Sequence, residues 1–367
     1  MCSSQLADGV PESEARPRAR QRRALRFALL MAGLLGLDSA LKRGIFATYV
    51  LLWVSSHLLV YGSRLAGARP YNPTSVVMIT ELTKFVMAVS MYLMYDGSFA
   101  DLTKAVASSL PLALKYTVPA VLYCVYNNLV YINLTTFDPG TYNVLMQLRI
   151  GLTGLLWQQL FSQRLNRNQW IAIGLIALGC MVKESAKLSP DGGGISANMR
   201  AWMLLGVQMM SSVLAGVYNE LLLKGGSHAK VTTNLQNSFM YLQSVVWNGL
   251  FLAVQGRLGE AFASDNLSVV MSPAVLAIIA IMSSVGLVTG FFLRHLDSVL
   301  KSIASALEVV LTMIASFAVF GTPIDSLAML AAVLVGAGVW LYAKPVEAMK
   351  PAGGYEMVSS KQEDPEP

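Results

Sequence analysis

This chain of 367 residues is 54% hydrophobic and only 13% charged, about half the charge of an ordinary soluble domain. Too few polar side chains remain to cover a globule in water, so a soluble fold is excluded and the excess apolar surface belongs in lipid. The formal net charge of +6 sits in the leading tail and in alternate loops, which marks membrane orientation rather than a nucleic-acid partner.

The chain opens with Arg16, Arg18, Arg20, Arg22, Arg23 and Arg26, followed by a short apolar run at 27–37. That run cannot cross ~30 Å of hydrocarbon, which takes ~20 helical residues. Residues 1–44 therefore read as a cytosolic basic segment with an interfacial stretch. About ten spans follow, near residues 46–62, 74–95, 112–131, 140–160, 169–183, 201–222, 235–254, 272–293, 303–320 and 326–343. Residues 45–343 form the membrane domain, and 344–367 form a polar tail expected to be disordered and cytosolic.

Lys104, Lys115, Arg164, Arg167, Lys224, Lys230 and Arg294 fall in loops on one side of this layout. The positive-inside rule puts that side, with both termini, in the cytosol. The opposite loops hold the sequon Asn266-Leu267-Ser268, a candidate for glycosylation, whereas Asn133-Leu134-Thr135 lies too close to a span. Cys2, Cys124 and Cys180 make no disulfide framework or metal spacing.

The chain matches itself at an offset of 159 residues. Asp138 falls on Asp297, Leu148 on Leu307, Thr153 on Thr312 and Phe161 on Phe320. Ala172 falls on Ala331, Leu175 on Leu334 and Gly179 on Gly338. Repeat one, about 45–185, and repeat two, about 200–343, then hold five spans each. An odd number of spans inverts the second copy, which is the usual construction of secondary transporters.

Ionised groups inside spans cost ~2.5–3.5 kcal/mol on insertion scales and face a partner or a watery cavity. Glu81 and Lys84 share a helical face, as an internal ion pair or as part of a gate. Arg149 has no acid within a turn and needs an anion; a phosphate from a ligand and Glu308, its repeat mate, are the two candidates. Lys301, followed by Ser302, either snorkels at the membrane edge or supplies a second cation.

Tyr123, Tyr126, Asn127, Asn128, Tyr142, Tyr218, Asn234, Gln236 and Asn237 add aromatic faces and amide edges. Each alone suits an interhelical hydrogen bond. Together with two cations they describe a pocket for something aromatic, hydroxylated and anionic. His57, His228 and His295 are scattered, Asp191-Gly192-Gly193-Gly194 reads as a linker, and no nucleophile motif is apparent. The sequence therefore points to neither an enzyme nor a metal or cofactor protein.

These stretches resemble the nucleotide-sugar transporters, in the branch that carries CMP-sialic acid, UDP-galactose and UDP-N-acetylglucosamine. The resemblance rests on Ile79-Thr80-Glu81-Leu82-Thr83-Lys84, Val118-Pro119-Ala120 and Gln147-Leu148-Arg149. It continues in Ala215-Gly216-Val217-Tyr218 with Glu220 and Lys224, in Asn234-Leu235-Gln236, and in Lys301 with Ile314-Ala315-Ser316. It implies an all-α polytopic fold of the drug/metabolite transporter kind, in the Golgi membrane or the endoplasmic reticulum. It also implies exchange of a nucleotide-sugar for a nucleoside monophosphate.

By position, Tyr123, Asn127 and Tyr142 would serve the nucleotide, Lys301 and Arg149 the phosphates, and residues 234–237 the base or sugar. The chain departs from the family in having Arg149 for the usual Lys and Glu308 for a small neutral residue. Ser238 and Met240 differ from the CMP-sialic acid branch, which favours a UDP-sugar, galactose first. A carrier of another small anion, and a non-transporting scaffold for glycosylation machinery, remain the alternatives. Homo-oligomers, and complexes with other transporters or glycosyltransferases, are compatible with all three.

Overall fold

A computed structural model describes residues 37–65, 72–134, 136–137, 139–185, 199–226 and 230–343. The basic tail, the linker at 191–194, Asp138 and the polar C-terminal tail lie outside them, as does the apolar run at 27–37 except for Leu37, which is buried against Tyr49 and Val50. Every regular element among the described residues is helical.

The first half holds α1 (Ala40–Leu65), α2 (Pro73–Tyr95), α3 (Phe99–Ser108), α4 (Leu110–Lys115), α5 (Thr117–Leu134), α6 (Pro139–Met146), α7 (Arg149–Phe161) and α8 (Arg167–Ser185). The second half holds α9 (Met199–Lys224), α10 (Thr233–Val254), α11 (Leu258–Ala261), α12 (Ser264–Val270), α13 (Pro273–His295), α14 (Ser298–Phe320) and α15 (Ser326–Ala343).

Local chemistry sets many of these boundaries. Asn72 precedes Pro73 and accepts the amide of Thr74 at 2.8 Å, a cap followed by the residue best suited to a first turn. Ser98 and Asp101 form a reciprocal capping box at the start of α3. Asp297 caps α14 through the amide of Leu300 at 2.7 Å, and Asp325 caps α15 through that of Ala328 at 2.6 Å. The helices α7 and α14 both end on a residue in the left-handed region, Ser162 at φ 51° and Gly321 at φ 67°. Glycine reaches that region without strain and serine does not.

Six helices, α1, α2, α9, α13, α14 and α15, are long and apolar enough to cross a bilayer. The run through α3, α4 and α5 makes a seventh if counted as one span, bent by 70° near Ser109. The other three expected spans fall on the broken α6–α7 pair, on α8 and on the Asn- and Gln-bearing α10. Helix α6 stops at Met146 and α7 restarts at Arg149, bridged by short bonds from Leu148 N to Leu145 O and from Ile150 N to Gln147 O. The break lies directly before Arg149, a half-buried cation.

Helix bounds recur at the 159-residue offset: Ala40–Leu65 with Met199–Lys224, and the run 139–161 with Ser298–Phe320. The neighbours recur as well. Helix α9 packs on α5 as α1 does on α13, and α7 on α9 as α14 does on α1. Helix α10 packs on α5 as α2 does on α13.

At the crossing of α8 and α15 the contact is reciprocal. A Cβ at Gly179 would lie 3.0 Å from the carbonyl of Ala331, and one at Gly338 would lie 2.9 Å from that of Ala172. Small residues let the two backbones touch, which is how helices associate without a hydrophobic drive.

Candidate functional site

Lys301 lies one turn inside α14, and its ammonium reaches across to α9. A Cβ at Gly216 would stand 3.7 Å from Lys301 Nζ and 4.0 Å from the Tyr123 hydroxyl of α5. The missing side chain at Gly216 thus opens a gap in which three helices present a cation and a phenol. The Lys301 ammonium has no hydrogen-bond or ion-pair partner among the described residues, and neither has the side chain of half-buried Asn127 on α5.

Arg149, at the break between α6 and α7, is half-buried, and its Nη1 donates to the Tyr126 hydroxyl at 3.3 Å. It has no carboxylate partner among the described residues. The meeting with Glu308 considered from the repeat does not occur. Glu308 Oε1 instead accepts Nδ1 of His57 on α1 at 2.8 Å and the Thr312 hydroxyl at 3.4 Å. The reason is packing: α14 lies along α1, which brings His57 to the acid.

On α2, Lys84 and Glu81 pair at 2.7 Å, and both side chains are largely buried. The ammonium also stands 5.5 Å from the ring centre of Tyr241 on α10. A Cβ at Gly286 would collide with the Lys84 stem at 2.7 Å and with the Tyr241 hydroxyl at 2.9 Å, so α13 leaves room for both. Tyr123 and Tyr218 pack against the apolar cluster that contains Tyr241 and Leu287. The two tyrosines and the cation–π pair therefore adjoin one another.

Other polar residues face the protein. Tyr142 receives the Gln208 amide at 2.7 Å, and Gln208 also accepts from Asn133 at 2.6 Å. Asn133 is accordingly buried and unavailable as a sequon. Asn128 donates back to the Cys124 carbonyl at 2.8 Å, and Ser302 to that of Ser298 at 3.1 Å. Gln236 accepts from the Tyr116 hydroxyl at 2.7 Å and donates to Val231 O at 3.1 Å. Asn237 donates to Leu287 O at 3.3 Å and Asn234 to Asp96 at 3.1 Å, while the Asn234 oxygen is buried without a partner among the described residues.

Glu220, only 1% exposed, is a hub that the sequence shows as part of the family resemblance but not as a site residue. It accepts the amide and hydroxyl of Ser298 at 2.7 and 2.6 Å, Trp157 Nε1 at 3.3 Å and Lys224 Nζ at 2.7 Å. Lys224 reaches onward to the Leu296 carbonyl, and Arg294 to that of Leu223. The carboxylate thereby fixes the start of α14 one turn before Lys301. Gln208 and Tyr241 are likewise unannounced, because nothing in an apolar run marks which residue a neighbouring helix will meet.

No His, Cys, Asp and Glu cluster among the described residues could hold a metal, and Cys124 and Cys180 are buried. Apolar helices packed around buried cations, phenols and amides define a multi-pass membrane protein. The chain belongs to the nucleotide-sugar transporter family, whose sequence profile matches residues 37–343. It is similar to the UDP-galactose transporter senju of Drosophila melanogaster, at 36% identity over 81% of this chain and 85% of that one. It is also similar to the UDP-galactose translocator of Homo sapiens, at 30% over 79% and 74%. CMP-sialic acid transporter 4 of Oryza sativa subsp. indica matches at 27% over 82% and 76%. A solved crystal structure shares the fold at a TM-score of 0.59 and 15% identity, covering 81% of this chain and 94% of its own. Its relatives are transporters, and the chain is not an enzyme.

Proposed function

We propose that the protein exchanges a UDP-sugar, UDP-galactose first, for UMP across the Golgi membrane. The substrate follows the UDP-galactose carriers among its relatives. One observation carries the reading: Lys301 points into the Gly216 gap beside the Tyr123 hydroxyl, with no acid against it among the described residues. A half-buried ammonium without a counter-ion, set among helices, is suited to receive an anion from solution. Arg149 stands ready to meet a phosphate as well, since guanidinium matches it in bidentate fashion. Tyr123, Tyr218 and Asn127 supply stacking faces and a free amide for base or sugar.

The architecture is ten crossings in two inverted halves, 45–185 and 200–343, with both termini cytosolic. What supports it is the recurrence of helix bounds at one offset, the exchange of packing partners, and the reciprocal contact of Gly179 and Gly338. The two halves rock about the Lys301 gap, opening it to each side in turn. Glu81 and Lys84, whose pair can break when a phosphate competes for the ammonium, are the gate. Glu308, the acid that would neutralise Arg149 in a non-transporting scaffold, is engaged by His57 instead.

The test is purified protein in liposomes preloaded with UMP and offered a panel of labelled nucleotide-sugars. UMP accelerates uptake of UDP-galactose above the others on this reading. Failure of UMP to accelerate any of them overturns the exchange.

A further inference from the structure

Glu308 is nearly buried in a helix apolar enough to span a bilayer, and its bonded partner across the helix interface is an imidazole. His57 keeps almost half of its side chain exposed and stacks on Trp53 at 5.8 Å. The bond between His57 Nδ1 and Glu308 Oε1 needs one hydrogen, which Nδ1 carries. A second proton, on Nε2, decides whether the pair is neutral or carries a net negative charge. Among side chains, imidazole is the one that ordinarily exchanges a proton near neutral pH.

The pair stands where it can act on the cation site. Glu308 and Lys301 are two turns apart on one face of α14, about 10 Å along the axis. At the repeat offset His57 corresponds to Gly216, and Glu308 to Arg149. In one half of the molecule the pair thus occupies the place that the gap and the guanidinium occupy in the other.

Of the ionisable groups on helices packed against it, Arg149 and Glu220 come from α7 and α9, and Arg294 and His295 from α13. Lys183 lies on α8 and Tyr342 on α15. None bonds to His57 or Glu308, whose polar contacts are with each other and with Thr312.

We propose that His57 and Glu308 form a proton-binding site linked to the anion site at Lys301. Proton uptake removes a negative charge two turns from Lys301 and favours anion binding there, and by reciprocity a bound phosphate favours the proton. At an effective dielectric near 20, one charge at about 10 Å changes anion affinity by roughly tenfold. This rests on the nucleotide-binding reading above.

The experiment uses the full chain in nanodiscs, as wild type and as the His57→Gln, Glu308→Gln double variant. UDP-galactose is the probe, because its pyrophosphate is a diester with no titration between pH 5.5 and 8. Wild type binds about tenfold more tightly at the acid end, and the double variant binds equally at both. A flat wild-type profile, or equal slopes in the two proteins, overturns the linkage.

Melting curves without nucleotide test the proton site alone. The difference in melting temperature between wild type and the double variant changes between pH 5.5 and 8. Parallel curves overturn the site. Absence of UDP-galactose binding at every pH overturns the substrate and the linkage, and the melting curves still decide the proton site.

Discussion

Replacing Glu220 by Ala removes the acceptor of four donors at once: the amide and hydroxyl of Ser298, Trp157 Nε1 and Lys224 Nζ. Lys224 keeps the Leu296 carbonyl and some exposure, so its charge is only partly stranded. The Ser298 groups are buried and lose their partner outright. Breaking a buried ion pair from one side costs about 3–5 kcal/mol, and the Ala variant is expected in that range. Glu220→Gln keeps an acceptor oxygen and the shape but loses the charge, so about 1–3 kcal/mol is expected.

Denaturant or thermal unfolding in a mild detergent, with tryptophan fluorescence as readout, measures both. A cycle with Ser298→Ala isolates the hydrogen-bonded pair, and coupling of about 1–2 kcal/mol is expected between contacting residues. An Ala variant within about 1 kcal/mol of wild type, or no coupling to Ser298, refutes the hub. Because α14 starts at this carboxylate, nucleotide affinity falls in the Ala variant too, through Lys301.

Leucine at Gly216 fills the gap shared by Lys301 and Tyr123, so nucleotide binding is lost in a protein that still elutes as a folded species from size exclusion. Alanine at Gly338 sets a Cβ 2.6 Å from Ile176 Cγ1 and 2.9 Å from a backbone oxygen, and the melting point drops by the equivalent of about 1–3 kcal/mol. Gly321→Ala is destabilising by about 1 kcal/mol, whereas Ser162→Gly is stabilising by up to that amount, since only the latter relieves a left-handed side chain.

Glu260, bonded first by Arg257 and then by Asn72 outside the spans, is held down at about 2. Its folded value lies below its unfolded one, so its contribution is complete above the ordinary carboxylate range and disappears as pH falls toward 2. The stability difference between wild type and Glu260→Gln is therefore constant from pH 8 to 5 and shrinks only in stronger acid.

Lipid imposes long apolar runs, so most helices could be read from hydropathy alone. The repeat was faint in identities because lipid-facing positions accept any apolar residue. Helix bounds recur at the same offset, and Ser162 and Gly321, which share no chemistry, end helices 159 residues apart in the same left-handed conformation. The break before Arg149 was hidden by apolar residues on both sides. The charged groups inside spans were legible, being costly there, and so was the Glu81–Lys84 pair at helical spacing, but partners on other helices were not. Glu308 found His57 far away in sequence, and Tyr142 found Gln208, because helix packing chooses such pairs. The amides at 234–237 looked like ligand groups by type, yet in this structure they bind Asp96, Tyr116 and backbone carbonyls.

The seam between α8 and α15 binds these two helices to a shared future. Each presents to the other the same small residue against the same kind of carbonyl, so a bulkier side chain in either strikes main chain that cannot yield. Widening the seam demands matched changes in both helices.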